Sequence, residues 1–449
     1  MGDFVGSVWW MIVSLGVLVT FHEFGHFWVA RRFGVKVLRF SIGFGRPLWM
    51  RRGRDGTEYA IAAIPLGGYV KMLDEREGDV ADQDRARAFN RRPVGQRIAI
   101  VAAGPFANMI LCVALLWVMF VIGRPDFAPV VGHVEGLAAQ AQLERGDTLV
   151  AIGDQPTPTW SEAAMALMTA AMDRRDVAVH VHPKDGGDAV RTLRLSRLPP
   201  GFDAQRSFPD IGVTPRHQLV PPVVGRIEPG TAAWGVLAEG DRVIAIDGAP
   251  VEAFEDIGPL VQQVAGRTAM IEVQRDGDRL ALEITPKQRD DANRGRYWAL
   301  GVAPAPAPVP AYDAKLQFGP VAAVPAALHE TWKLTAETAG MVGRLLHGRA
   351  SADNVSGPIT IARYANTAAS LGPAWFLNFL ALMSLSLAIL NILPIPVLDG
   401  GHLLYYLIEL VKGSPLSERA MAAGQYIGLA LLAGLMGLAF YNDISQLLH

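Results

Sequence analysis

The segment His22-Glu23-Phe24-Gly25-His26 carries the most specific chemistry in the sequence. On a helix, positions four apart share a face, so His22 and His26 can offer two imidazoles to one Zn2+ ion while Glu23 stands beside them to take a proton from water. The motif lies near the end of an apolar run, residues 5–30, that is long enough to cross a bilayer. An ionisable residue costs about 2.5–3.5 kcal/mol at mid-span on insertion scales, so three of them together need a partner or a function. A catalytic zinc commonly takes three protein ligands and leaves one position for water, so the two histidines need a third. The third apolar run supplies a candidate. It reads Asn391-Ile-Leu-Pro394-Ile-Pro396-Val-Leu-Asp399-Gly400-Gly401-His402, where two prolines and two glycines break the helix and put the Asp399 carboxylate at its end. His402 is the alternative ligand. Without the histidines, the same residues would read as a kink and a turn carboxylate.

The elements that must position these groups are four apolar segments, residues 1–30, 98–122, 375–396 and 422–442, each expected to span a membrane as a helix. A composition that is 51% hydrophobic, with positive mean hydropathy, agrees. Residues 31–97 hold Arg31, Arg32, Arg51, Arg52, Arg54, Arg91, Arg92 and Arg97, which makes this loop cytoplasmic by the positive-inside rule. The N-terminus, residues 123–374 and the C-terminus then fall on the opposite side. Spans one and three both run toward the cytoplasm, so His22, His26 and Asp399 can meet at one depth near that surface. The first run has no preceding basic residue and no clear small-residue cleavage site, so a retained helix is expected rather than a removed signal. A net charge of −2 offers no global field for nucleic acid, and the single cysteine, Cys112, excludes an internal disulfide.

Between spans two and three the sequence repeats itself. Gly136 through Leu143, Gly146-Asp147 and Ile152 align at constant offset with Gly230 through Leu237, Gly240-Asp241 and Ile246. Each copy reads as a strand, a small-residue turn, a Gly-Asp turn, an apolar strand and a helix, near residues 161–172 and 256–264. The pattern resembles PDZ domains of the bacterial protease type, which gives domains at 127–216 and 220–305; two small β-rich spacers are the plainer alternative. A PDZ groove would take a peptide ligand as an added strand. The Pro/Ala run at 303–311 closes the second copy, and residues 306–374 hold that linker and an amphipathic helix near 321–346.

The combination of His-Glu-x-x-His in a first span, Asn-x-x-Pro-x-Pro-x-Leu-Asp-Gly in a third and two PDZ-like domains between them resembles the site-2 protease family of intramembrane zinc metalloproteases. Residues 104–108, Gly-Pro-Phe-Ala-Asn, and residues 354–360, Asn-Val-Ser-Gly-Pro-Ile-Thr, share in the resemblance. It implies a polytopic α-helical membrane protein with four transmembrane helices and two inserted PDZ-like α+β domains. It further implies one Zn2+ per chain on His22, His26 and Asp399, with Glu23 as general base and Asn391 as a substrate contact. The implied partners are the lipid bilayer and single-span membrane proteins of the anti-sigma factor type, and remnant signal peptides are a further implied substrate. The implied location is the bacterial cytoplasmic (inner) membrane, with the PDZ-like domains periplasmic. A helical substrate must unwind before water can reach its peptide bonds. The alternating run 57–64 and the Pro65-to-Tyr69 turn are either a membrane-dipping hairpin that holds such a substrate open, through Ile61, Ile64, Gly67 and Gly68, or an ordinary cytoplasmic hairpin. A zinc-binding membrane transporter would also need intramembrane histidines, but has no use for Glu23 between them. A membrane-tethered PDZ scaffold without protease activity would need neither.

Overall fold

The computed structural model describes residues 2–198, 210–291, 295–346 and 357–448, in two compact units, Met1–Arg124 with Gln317–His449, and Pro125–Leu316. Residues 354–356 of the second shared motif lie outside the described residues.

The first unit is helical apart from one hairpin. Its helices are α1 (Gly2–Arg32), α2 (Val94–Ile122), α3 (Ala323–Leu346), α4 (Pro358–Ser370), α5 (Pro373–Ile392), α6 (Asp399–Lys412) and α7 (Glu418–Leu448). Among the described residues four are long and apolar enough to cross a membrane, over Asp3–Arg32, Val94–Ile122, Pro373–Ile392 and Arg419–Ser445. Their outward faces carry large apolar side chains such as Trp9, Trp28 and Ile110, as they must where lipid is the solvent. The chain therefore has the architecture of a polytopic membrane protein.

α1 stops at a Schellman turn. Gly34 takes φ +75°, its N–H bonds to Arg31 O at 2.9 Å, and Val35 N–H bonds to Ala30 O at 2.9 Å. Gly25 brings α1 against α2 at backbone distance, since a Cβ there would overlap the Ala103 carbonyl. Leu18, Leu111 and Leu380 form a small core joining α1, α2 and α5. A second core joins Phe27, Phe40, Ile100 and Tyr406, and so ties the hairpin and α6 to the same helix pair. Above it, buried Arg97 forks onto Glu409 at 2.7 and 3.1 Å with its guanidinium over the Tyr406 ring, a paired arrangement that lets a cation sit at the head of α2.

α5 ends at Ile392, earlier than its apolar run suggests, because Pro394 disfavours helix at the preceding residue and supplies no N–H itself. The loop 393–398 then folds back on α6. Cβ atoms on Gly400 and Gly401 would overlap the Leu393 carbonyl and Pro396, so only glycine fits at either position. Val397 is held at φ +93°, a strained conformation for a β-branched residue. Gly428 of α7 packs on the Pro396 carbonyl, and Gly424 on the Tyr405 hydroxyl.

The hairpin strands are β1 (Val37–Arg52) and β2 (Glu58–Met72). Their register is doubled: Phe40 is paired with both Val70 and Tyr59, and Ile42 with both Gly68 and Ile61, while the later part of β1 pairs Trp49 with Ile61. The two strands thus bend back to make a sheet of four short segments.

The second unit repeats one plan twice. The sheet order is 155–156, 148–152, 177–182, 189–193 in the first half and 249–250, 242–246, 269–275, 278–284 in the second. Each half carries one helix longer than a turn or two, Trp160–Met172 and Ile257–Val264, over its own core, with Leu149, Leu167 and Val179 in one and Val243, Val261 and Ile271 in the other. The Gly-Asp turns match in detail. Gly146 and Gly240 both take φ +94°, and Asp147 and Asp241 accept the Glu144 and Ala238 amides at 3.0 and 2.8 Å. The internal sequence repeat is thus a structural one.

Candidate active site

α1 brings His22 and His26 to one face, buried against α2. Gly104 of α2 makes the space, because a Cβ there would overlap His26 Nε2 and come within 2.9 Å of His22 Cε1. Asp399 arrives from the first turn of α6, where the helix dipole and free amides favour a carboxylate, rather than from the end of α5. His22 Nε2 and Asp399 Oδ2 are 3.0 Å apart, His26 Nε2 and Asp399 Oδ2 3.3 Å, and the two Nε2 atoms 3.3 Å. The three are the group among the described residues that could hold a metal ion. Two ligands at zinc–nitrogen or zinc–oxygen distances, set at a tetrahedral angle, lie about 3.3 Å apart, so the spacing suits zinc. Asp399 Oδ2 is buried without a donor in hydrogen-bond geometry, which is the condition of an oxygen awaiting a cation.

The outer nitrogens are held too. His26 Nδ1 lies 2.9 Å from Ile100 O; a carbonyl only accepts, so Nδ1 carries the proton and Nε2 keeps its lone pair for a metal. His22 Nδ1 lies 3.4 Å from Nδ2 of the fully buried Asn108, whose own main-chain carbonyl accepts from Ser384 Oγ at 2.8 Å. A metal on His22 Nε2 requires the hydrogen on Nδ1, and turning the Asn108 amide over would bring its Oδ1, which has no hydrogen-bond partner, round to receive it. Residue types and spacing gave Asn108 no role. The signals were its membership of the shared 104–108 motif and its place four residues after Gly104, which puts both on the face toward the histidines.

Glu23 lies beside the pair and under the hairpin: a Cβ on Gly68 would fall 3.1 Å from Glu23 Cγ and 3.0 Å from Val19 Cγ1. Gly67, at φ +150°, leaves room for the Phe44 ring, which stacks on Tyr69 at 6.2 Å. Ile61 and Ile64 are half exposed, but the register pairs Ile61 with Ile42 on one side and Trp49 on the other. The strand segment next to Glu23 is therefore Gly67–Val70 rather than the run 57–64. Asn391 does not join the donor cluster; its Nδ2 donates to Leu387 O one turn back in α5, at 3.1 Å. His402 also stays out of the cluster.

Two buried histidine nitrogens and a carboxylate oxygen converging beside a second carboxylate are the parts of a metal-dependent hydrolase. The sequence profile of peptidase family M50 matches residues 10–435. The chain belongs to this family, the site-2 proteases, and is a zinc metalloprotease. It is 56% identical to a candidate zinc metalloprotease of Xylella fastidiosa, over 99% of this chain and 100% of the relative. It is 43% identical to the regulator of sigma-E protease RseP of Escherichia coli, over 97% and 98%, and 42% identical to protease RseP of Yersinia pestis, over 97% and 98%.

Proposed function

We propose that this enzyme hydrolyses peptide bonds within the transmembrane segments of single-span membrane proteins, an anti-sigma factor of the envelope stress response among them, and that remnant signal peptides are a second substrate class. The observation that carries the reading is the convergence of His22, His26 and Asp399 beside Glu23 within apolar helices. His22, His26 and Asp399 hold one zinc ion per chain. When bound, zinc polarises the scissile carbonyl and makes water acidic enough to attack near neutral pH. Glu23 takes the proton of the attacking water and delivers it to the departing amine, so no acyl-enzyme forms. Ile100 O fixes the His26 tautomer, and the Asn108 amide, turned to present its oxygen, would do the same for His22. The strand segment at Gly67 and Gly68 pairs with the substrate after it unwinds, Ile61 and Ile64 offer apolar surface beside it, and Asn391 turns from Leu387 to contact the substrate backbone.

The arginines of residues 31–97 support a cytoplasmic hairpin, with the zinc site near the cytoplasmic face of the inner membrane. The two halves of the second unit are PDZ-like domains, 127–216 and 220–305, on the periplasmic side, where they screen approaching substrates by size. The names of the relatives, regulator of sigma-E protease, support the anti-sigma assignment. The test is cleavage of a panel of single-span substrates in liposomes, with and without chelator. Chelator-sensitive cleavage inside the span is expected, and chelator-resistant cleavage, or none across the panel, would refute the reading.

A further inference from the structure

On the flank of the α1–α2 pair lies a cleft of about 530 Å3 whose walls are Trp28, Phe33, Phe106, Met109 and Ile392. Every lining residue is apolar except Arg32. The floor runs along α2 from Ala99 to Met109, ten residues or about 15 Å of helix, which is the depth of one leaflet's hydrocarbon. Arg32 belongs to the last turn of α1 and Ala99 to the second turn of α2, so Arg32 lines the end of the cleft at which both helices reach their termini. Its neighbour Arg31 is engaged by Asp55 at 3.0 Å and Arg39 by Glu58, whereas Arg32 has no ion-pair partner among the described residues. A further guanidinium, Arg92, is held at Gly34 O, two residues beyond, at 2.6 Å. Trp28, 59% exposed, has the amphipathic ring that settles at headgroup depth.

We propose that this cleft is a binding site for one anionic glycerophospholipid, with an acyl chain laid along α2 and the phosphate at Arg32. Charge complementarity selects the occupant. A wholly apolar groove one leaflet deep suits any acyl chain, but an unpaired guanidinium at its mouth, with a second close by, gains most from a headgroup of net negative charge. A zwitterionic headgroup carries its own cation and gains less.

The full chain is reconstituted in bilayers containing brominated phosphatidylglycerol or brominated phosphatidylcholine. Trp28 emission is isolated as the difference between wild type and Trp28→Phe. Half-quenching is expected at an anionic-lipid fraction about fivefold lower than for the zwitterionic lipid, roughly the worth of one guanidinium beside an anionic surface. Arg32→Gln should erase that preference, Arg32→Lys should keep part of it, and Ala102→Leu, which fills the cleft, should weaken quenching by both lipids. Zinc content of each variant reports intact folding. Equal quenching of the wild type by both lipids, or a preference that survives Arg32→Gln, overturns the proposal.

Discussion

Replacing Gly104 by alanine tests the site's geometry most sharply, because local propensity and packing give opposite answers. In a helix interior alanine is better than glycine by about 1 kcal/mol, so propensity alone makes Gly104→Ala stabilising. The methyl, however, would overlap His26 Nε2 and lie 2.9 Å from His22 Cε1, where 3.4 Å is the lower bound of ordinary contact. The His22 ring must then retreat by about 0.5 Å, and the His26 ring by more. Zinc sites tolerate about 0.2 Å in ligand distance, so at least one imidazole should leave coordination. Loss of a supporting contact alone typically costs 10- to 100-fold in metal affinity, and displacement of a ligand should cost at least the upper figure. The assay is zinc content of the purified variant against a graded competing chelator, alongside cleavage of a single-span substrate and a thermal melt. A stable protein that is depleted of zinc and inactive is the expected result. Wild-type zinc affinity and turnover in Gly104→Ala would refute the claim that α2 sets the spacing of the two histidines.

Glu23→Gln should keep zinc and lose about a hundred- to ten-thousandfold in cleavage rate, measured by single-turnover proteolysis with metal analysis in parallel. Asp399→Ala should lower zinc occupancy and activity together; full occupancy with unchanged kinetics would move the ligand role elsewhere, His402 first. Deleting residues 127–305 and rejoining the ends with a flexible linker should leave zinc and catalysis intact while admitting substrates whose outer domain is untrimmed, read as cleavage of matched long and trimmed substrates by both enzymes. In the second half of the Pro125–Leu316 unit, burial alone would raise the Asp241 carboxyl, but the Arg275 guanidinium and the Ala238 amide hold it below its ordinary value of 3.8. A depressed folded value gives stability that is present above the unfolded value and lost as pH falls through the folded one, so urea unfolding of the excised unit, residues 125–316, should show the advantage of wild type over Asp241→Asn shrinking as pH drops below 3.8.

Much of this arrangement was legible because its determinants are local or repeated. The His22–His26 spacing needs only helical periodicity; Asp399 was named as their partner because two spans were expected to end at one depth, although it is the first turn of α6 and not the end of α5 that carries it. The duplicated Gly-Asp turns announce themselves because φ +94° admits little but glycine. What escaped depends on contacts between elements distant in sequence. The roles of Gly104 and Asn108 exist only once α2 lies against α1, more than 70 residues away in the chain. The short helices α4 and α6 carry no run of apolar residues long enough to announce a span, and α4 is fixed by Asp443 of α7, which accepts from Gly357 N, Ile359 N and Thr360 Oγ1. The hairpin looked like one alternating edge, but its doubled register turns that edge inward and leaves the glycine segment beside Glu23. Periodicity states which residues share a face and not which strand closes over it.

The loop around Pro396 ties the reaction centre to a helix that contributes none of its atoms. Gly428 meets the Pro396 carbonyl with no side chain to yield, and Gly400 and Gly401 meet the loop's backbone with as little slack. Val397 is already strained between them, and Asp399 follows two residues later. A tilt of α7 would therefore press directly, through Gly428 and the Pro396 carbonyl, on the loop that leads to the carboxylate. Were the thickness of the surrounding membrane to change the lean of this helix, the position of one oxygen atom would follow.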